Sequence, residues 1–115
     1  MEFFERKCMD AFGEDFNHER LADNVANTNI EYGGFQPNVS NVVFVQGSID
    51  PWHAMGVVED LNKVAPAIFI PGTSHCADMD PDSPSDPEEL KAARLRIGEL
   101  VRSWICQEIS SVCRQ

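Results

Sequence analysis

Apolar residues along this chain recur first at helical spacing, then in short solid runs, then at helical spacing again. Between residues 2 and 12, Phe4, Cys8 and Phe12 (or Ala11) share one helix face, and Gly13 is a natural stop. Asn17 can cap a second helix over His18–Ala26, with Leu21 and Val25 inward and His18 facing solvent. Thr28–Asn38 breaks the pattern and reads as loop. Two dense runs follow, Val42-Val43-Phe44-Val45 and Ala67-Ile68-Phe69-Ile70, rich in β-branched and aromatic residues and bounded by turn residues. They predict strands over Asn41–Gln46 and Ala67–Ile70, buried on both faces as parallel strands are. Val57, Val58 and Leu61 suggest a short crossover helix between them, over Ala54–Lys63. The last helix, Pro87–Gln107 or beyond, begins at Asp86-Pro87-Glu88-Glu89, with Asp86 as its cap. Its apolar stripe is Leu90, Ala93, Ile97, Leu100, Val101, Trp104 and Ile105, with Arg94, Glu99 and the other arginines outside it.

Each short run is followed at once by a residue that can do chemistry. Asp50 lies in Gly47-Ser48-Ile49-Asp50-Pro51-Trp52, and His75 in Pro71-Gly72-Thr73-Ser74-His75. In open α/β sheets the site lies beyond the carboxyl ends of the strands, so an acid and a base are placed to meet. Pro51 stiffens the turn that holds the acid. Trp52 reads first as a core anchor beneath this loop and second as a surface for stacking substrate. His53 is close to Asp50 in sequence, but a base must reach both acid and nucleophile, so it reads as a pocket-rim residue. Tyr32-Gly33-Gly34 reads first as a turn whose tyrosine caps the core and second as a substrate-lining loop.

Charge narrows the field. The net charge is −10, from 19 acidic and 9 basic residues, which disfavours nucleic acid and anionic membranes as partners. No apolar run approaches transmembrane length, and Met1–Phe16 does not read as a signal peptide. Asn38-Val39-Ser40 is a glycosylation sequon, usable if the chain is secreted and the loop exposed. Asp78, Asp80, Asp82, Asp86 and Glu89 match the spacing of a calcium loop, yet Ser83 stands where the sharp turn wants glycine and prolines interrupt the loop. A solvated acidic loop is the simpler reading, and no metal site is assigned. The runner-up function is a non-catalytic acidic interaction module, with calcium binding through residues 78–89 as one form of it. The four cysteines form no C-x-x-C, which argues against a zinc ribbon, and three full pairings are open. Cys106 and Cys113 are about 10 Å apart on a continuous helix, and could pair only if it ended between them.

Gln46-Gly47-Ser48-Ile49-Asp50-Pro51-Trp52 and Gly72-Thr73-Ser74-His75 resemble the acid and base motifs of one peptidase family. It is that of lysosomal prolyl carboxypeptidase, dipeptidyl peptidase II and thymus-specific serine peptidase. Thr28–Gly34 is similar to a further family element, Gln46 stands where relatives usually carry Asn, and His75-Cys76-Ala77-Asp78-Met79 looks nearer the thymus-specific branch. The resemblance implies an α/β-hydrolase fold, here two parallel strands with flanking helices. It implies serine-type exopeptidase activity on short peptides, of carboxypeptidase or dipeptidyl-peptidase type, without a cofactor. Asp50 and His75 would be the catalytic acid and base. It further implies a lysosomal or secreted parent, a homodimer of that parent, and for Cys8 a partner upstream of this chain. No G-x-S-x-G nucleophile elbow occurs in the 115 residues. Residues 1–115 are thus expected to be the C-terminal portion of the peptidase domain, without its nucleophile, inactive alone and marginal as a two-stranded sheet.

Overall fold

The computed structural model describes residues 2–108. The chain divides into two compact units, 1–38 and 39–115.

The first unit is a helical hairpin. Helix α1 spans Glu2–Phe12, and Gly13 ends it at φ +102°, a left-handed angle that suits glycine. Helix α2 spans His18–Tyr32. Its cap is the predicted one: the Asn17 side chain accepts a hydrogen bond from the Arg20 N–H at 3.1 Å. The helix overruns the expected end at Ala26. Thr28 does not break it, because its hydroxyl donates back to the Asn24 carbonyl at 2.8 Å. The stop is Gly33, at φ +87° with its N–H on the Asn29 carbonyl. A Cβ there would lie 2.7 Å from the Pro37 Cα. So Thr28–Tyr32 is helix, not loop, and Tyr32 is 69% exposed rather than capping a core. Phe4, Cys8, Phe16 and Leu21 line a shallow interhelical cleft of about 180 Å3, but neither helix has a buried residue. His18 is exposed and pairs with Glu5 at 2.8 Å.

The second unit mixes helix and strand. Strands β1 (Phe44–Gly47) and β2 (Ala67–Ile70) pair in parallel, with Phe44 opposite Ala67 and Gly47 opposite Ile70. The second strand has its predicted bounds. The first starts three residues late, since Asn41 sits at φ +56°, outside extended geometry. The predicted crossover helix is absent. Pro51–Met55 makes a single 3₁₀ turn, ended at the extended Gly56. Beyond it, Asp60 and Asn62 reach forward out of the expected helix: Asp60 accepts from the Ala67 N–H at 2.8 Å, and Asn62 from the Val64 N–H at 2.9 Å.

Helix α3 spans Glu88–Glu108. Asp86 does not cap it as expected; its carboxylate turns back to the Ser83 N–H at 2.9 Å. Leu90 and Ala93 pack on Ile70, with Val45, Ile68 and Ala77 at the margin. Leu100 is also buried, while Val101 and Ile105 at the far end of the stripe are exposed. One helix covers one side of the pair, so the strands are not buried on both faces and Phe69 is 43% exposed. Cys8 and Cys76 are free thiols; Cys113, needed to answer the pairing question for Cys106, lies outside the described residues. Among the described residues no helix is long and apolar enough to cross a membrane.

Candidate active site

The parallel register brings the site together. Gly47 and Ile70 end their strands level, so both following loops leave the same edge. Three contacts then lock one loop to the other, and a fourth braces the second loop on its own strand. The Ser48 N–H donates to the Ile70 carbonyl at 3.0 Å, and the Ile49 N–H to the Thr73 carbonyl at 3.1 Å. The Gly72 N–H donates to the Ser48 hydroxyl at 2.7 Å. Buried Thr73 turns its hydroxyl onto the Ile70 carbonyl at 3.0 Å. Gly47 permits this approach: a Cβ there would lie 2.4 Å from the Thr73 carbonyl oxygen and 2.6 Å from that of Ser74.

Asp50 and His75 meet across this junction. The Asp50 Oδ2 lies 2.7 Å from His75 Nδ1. The other carboxylate oxygen accepts from the Trp52 N–H at 2.9 Å. Asp50 is 3% exposed, yet both oxygens are hydrogen-bonded. The imidazole hydrogen bond, then the Trp52 amide, hold its carboxyl below the ordinary 3.8, and they outweigh desolvation. It is covered by its immediate neighbours rather than by depth of protein. An ionised carboxylate only accepts, so the proton of the neutral imidazole belongs on Nδ1 and the lone pair on Nε2. The His75 side chain is 56% exposed, and among the described residues no group bonds to Nε2. The site can therefore orient one imidazole and present its basic nitrogen outward.

The other expected residues divide. Trp52 is not a core anchor: it is 58% exposed, with its ring edge-to-face on His75 at 4.8 Å. The short turn lifts it off the core and onto the imidazole. His53 bonds the Asp50 backbone carbonyl at 2.6 Å and stands edge-on to Phe69, apart from the cavity of about 290 Å3 beside His75. That cavity is lined by Val43, Val45, Ile70, Cys76 and Met79, among others. Tyr32 belongs to the first unit. Asn38 is exposed. Gly47-Ser48 reads in sequence as the sharp exit from the first strand; that these two residues and Thr73 join the two loops was not read from it.

The acidic loop has a different organiser. Arg94 donates to Asp86 at 2.6 Å and to Asp82 at 3.0 Å. Two carboxylates of the calcium-like spacing are thus turned onto a guanidinium. Among the described residues no group of three or more His, Cys, Asp or Glu is arranged to hold a metal.

The second unit is thus a mixed helix-and-strand unit with two parallel strands and an acid and a histidine joined beyond their carboxyl ends. The chain belongs to the serine carboxypeptidase S28 family, whose model matches residues 1–97. It is 41% identical over 98 residues to the thymus-specific serine protease of Mus musculus and 37% identical over 98 residues to that of Homo sapiens, in both cases 85% of this chain and 19% of the relative. Over 77 residues it is 32% identical to the lysosomal Pro-X carboxypeptidase of Bos taurus, 64% of this chain and 15% of the relative. The chain thus spans about a fifth of the length of the thymus-specific relatives it matches.

Proposed function

We propose that this chain carries the acid and the base of a Ser-Asp-His triad, within the C-terminal part of an α/β-hydrolase peptidase domain. The observation that carries the reading is the 2.7 Å contact between Asp50 Oδ2 and His75 Nδ1, with Nε2 left outward. His75 is the general base: its Nε2 takes the proton of a serine hydroxyl supplied by the remainder of a longer parent, and later returns it to the leaving amine. Asp50 holds the imidazole in the Nδ1–H tautomer and stabilises the imidazolium as it forms. The substrate is a short peptide cut from one end. Trp52, exposed against the imidazole, is the residue we assign to the substrate side. The names of the relatives support a peptidase, and that of the bovine one supports a lysosomal or secreted parent that uses the exposed Asn38 sequon. By the same family likeness the parent is a homodimer.

The test is labelling with a fluorophosphonate. The parent is expected to be labelled, its His75→Ala variant unlabelled, and the 115-residue chain unlabelled. Full labelling of the His75→Ala parent would overturn the role of the base; labelling of the 115-residue chain would show that it holds its own nucleophile.

A further inference from the structure

We infer that Arg94 is a positioning residue for His75: its guanidinium fastens the backbone that follows the histidine to helix α3, and so fixes where the imidazole stands. The inference rests on the reading of His75 as the base, but concerns a residue outside the triad.

The ring of His75 cannot locate itself. Its side chain is more than half exposed and touches the protein through Asp50 and the edge of Trp52. Its position must come from its own backbone. On the upstream side that backbone is tied down by Thr73 and Gly72, described above. On the downstream side Cys76 adopts φ +55°, an angle non-glycine residues rarely take and one that surrounding contacts must hold. It leads into one 3₁₀ turn, Ala77–Met79.

Arg94 supplies those contacts. Its Nε donates to the Asp78 carbonyl at 3.0 Å, and its second terminal nitrogen to the Ala77 carbonyl at 2.8 Å. The first terminal nitrogen spans Asp82 and Asp86. The planar fork thus grips two consecutive carbonyls just after the histidine and two carboxylates of the following loop. A lysine, with one nitrogen at the end of a flexible stem, cannot reproduce that geometry. The Arg94 side chain is 14% exposed, so it is fixed rather than waving in solvent. It sits on the same helix as Leu90 and Ala93, which pack on Ile70 at the end of β2. The guanidinium therefore references the histidine loop to the sheet that also carries Asp50.

The experiment reads the Asp50–His75 bond directly in the 115-residue chain by nitrogen-edited NMR of labelled histidine. In the unaltered chain a hydrogen-bonded Nδ1–H signal of His75 is expected. Arg94→Ala should lose that signal to exchange with water, and Arg94→Lys should fail to restore it. Leu100→Ala serves as the control, since it lowers the melting temperature through the core and leaves the loop alone. Equal loss of the signal in Leu100→Ala and Arg94→Ala would mean that Arg94 acts through stability alone, and would overturn the inference, as would an unmoved signal in Arg94→Ala. Should Arg94→Ala fail to fold, Asp86→Asn carries the test: a weakened Nδ1–H signal is expected, and an unchanged one overturns the inference. The readout needs no turnover, so the two failures are distinct: a parent without peptidase activity would sink the triad reading, and an unmoved signal in Arg94→Ala would sink the positioning of His75 by Arg94.

Discussion

Asp50 and Asp86 are both carboxylates held below the ordinary 3.8, and they show two uses of the same group. Asp50 is held first by the His75 imidazole, then by the Trp52 amide. Asp86 is held first by the Ser83 amide, then by Arg94, whose own pKa rises in response. The partner decides the difference. An imidazole can take up and release a proton near neutral pH, so its pairing with Asp50 can serve a reaction. A guanidinium stays charged throughout, so the pairing with Asp86 can only hold structure. On the proposed function, one loop moves a proton and its neighbour keeps that loop still.

The largest effect expected of breaking this contrast is at Asp50. In the proposed longer parent, Asp50→Asn keeps the shape but offers the imidazole the wrong partner, and should lower kcat by about 10⁴-fold. Asp86→Asn should cost far less. Comparable losses in steady-state assays of the two variants would erase the distinction.

Gly47→Ala is next. The new methyl would strike the Thr73 backbone, which cannot swing aside as a flexible side chain would. A loss of about 2 kcal/mol in urea unfolding is expected, of the size overpacking gives. The Arg94 cluster should survive in the same sample, visible in its guanidinium signals. Wild-type stability with the loops still joined would refute the close approach.

Ser48→Ala removes only the hydroxyl that receives the Gly72 N–H. About 1 kcal/mol is the scale of one such bond, read from the same urea transition. A neutral result would assign loop joining to the backbone contacts alone.

Acid separates the two carboxylates most finely. Both pKa values are depressed on folding, so each group adds stability that is whole above about pH 4 and is lost as pH falls through its folded value. Asp50 faces His75 and His53; Asp86 faces Arg94 and Lys91. The urea midpoint should decline below about pH 4, and Asp86→Asn should flatten part of that decline. A variant that tracks the parent curve would show that Asp86 contributes nothing to acid sensitivity.

Much of this was legible beforehand because local signals agreed with the outcome. Asn17 and Gly13 bound helices through backbone needs that lie within a few residues. Ala67–Ile70 is apolar, β-branched and closed by Pro71-Gly72, and it is a strand with those bounds. Misreadings came where a side chain bonded the backbone across several residues. Thr28 bonds within the helix that it was expected to break. Asp60 and Asn62, expected inside a crossover helix, instead bond amides that lie beyond its expected end. Asp86 looked like a cap and is instead an anchor for Ser83 and Arg94.

The sequence alone determined where an acid and a histidine stand, since each closely follows a solid apolar run and that placement is local. Only the tertiary structure decided that they touch. Contact depends on parallel register, on a glycine without a Cβ at the crossing point, and on a guanidinium arriving from a distant helix. Those are distances through space, which spacing along the chain does not encode.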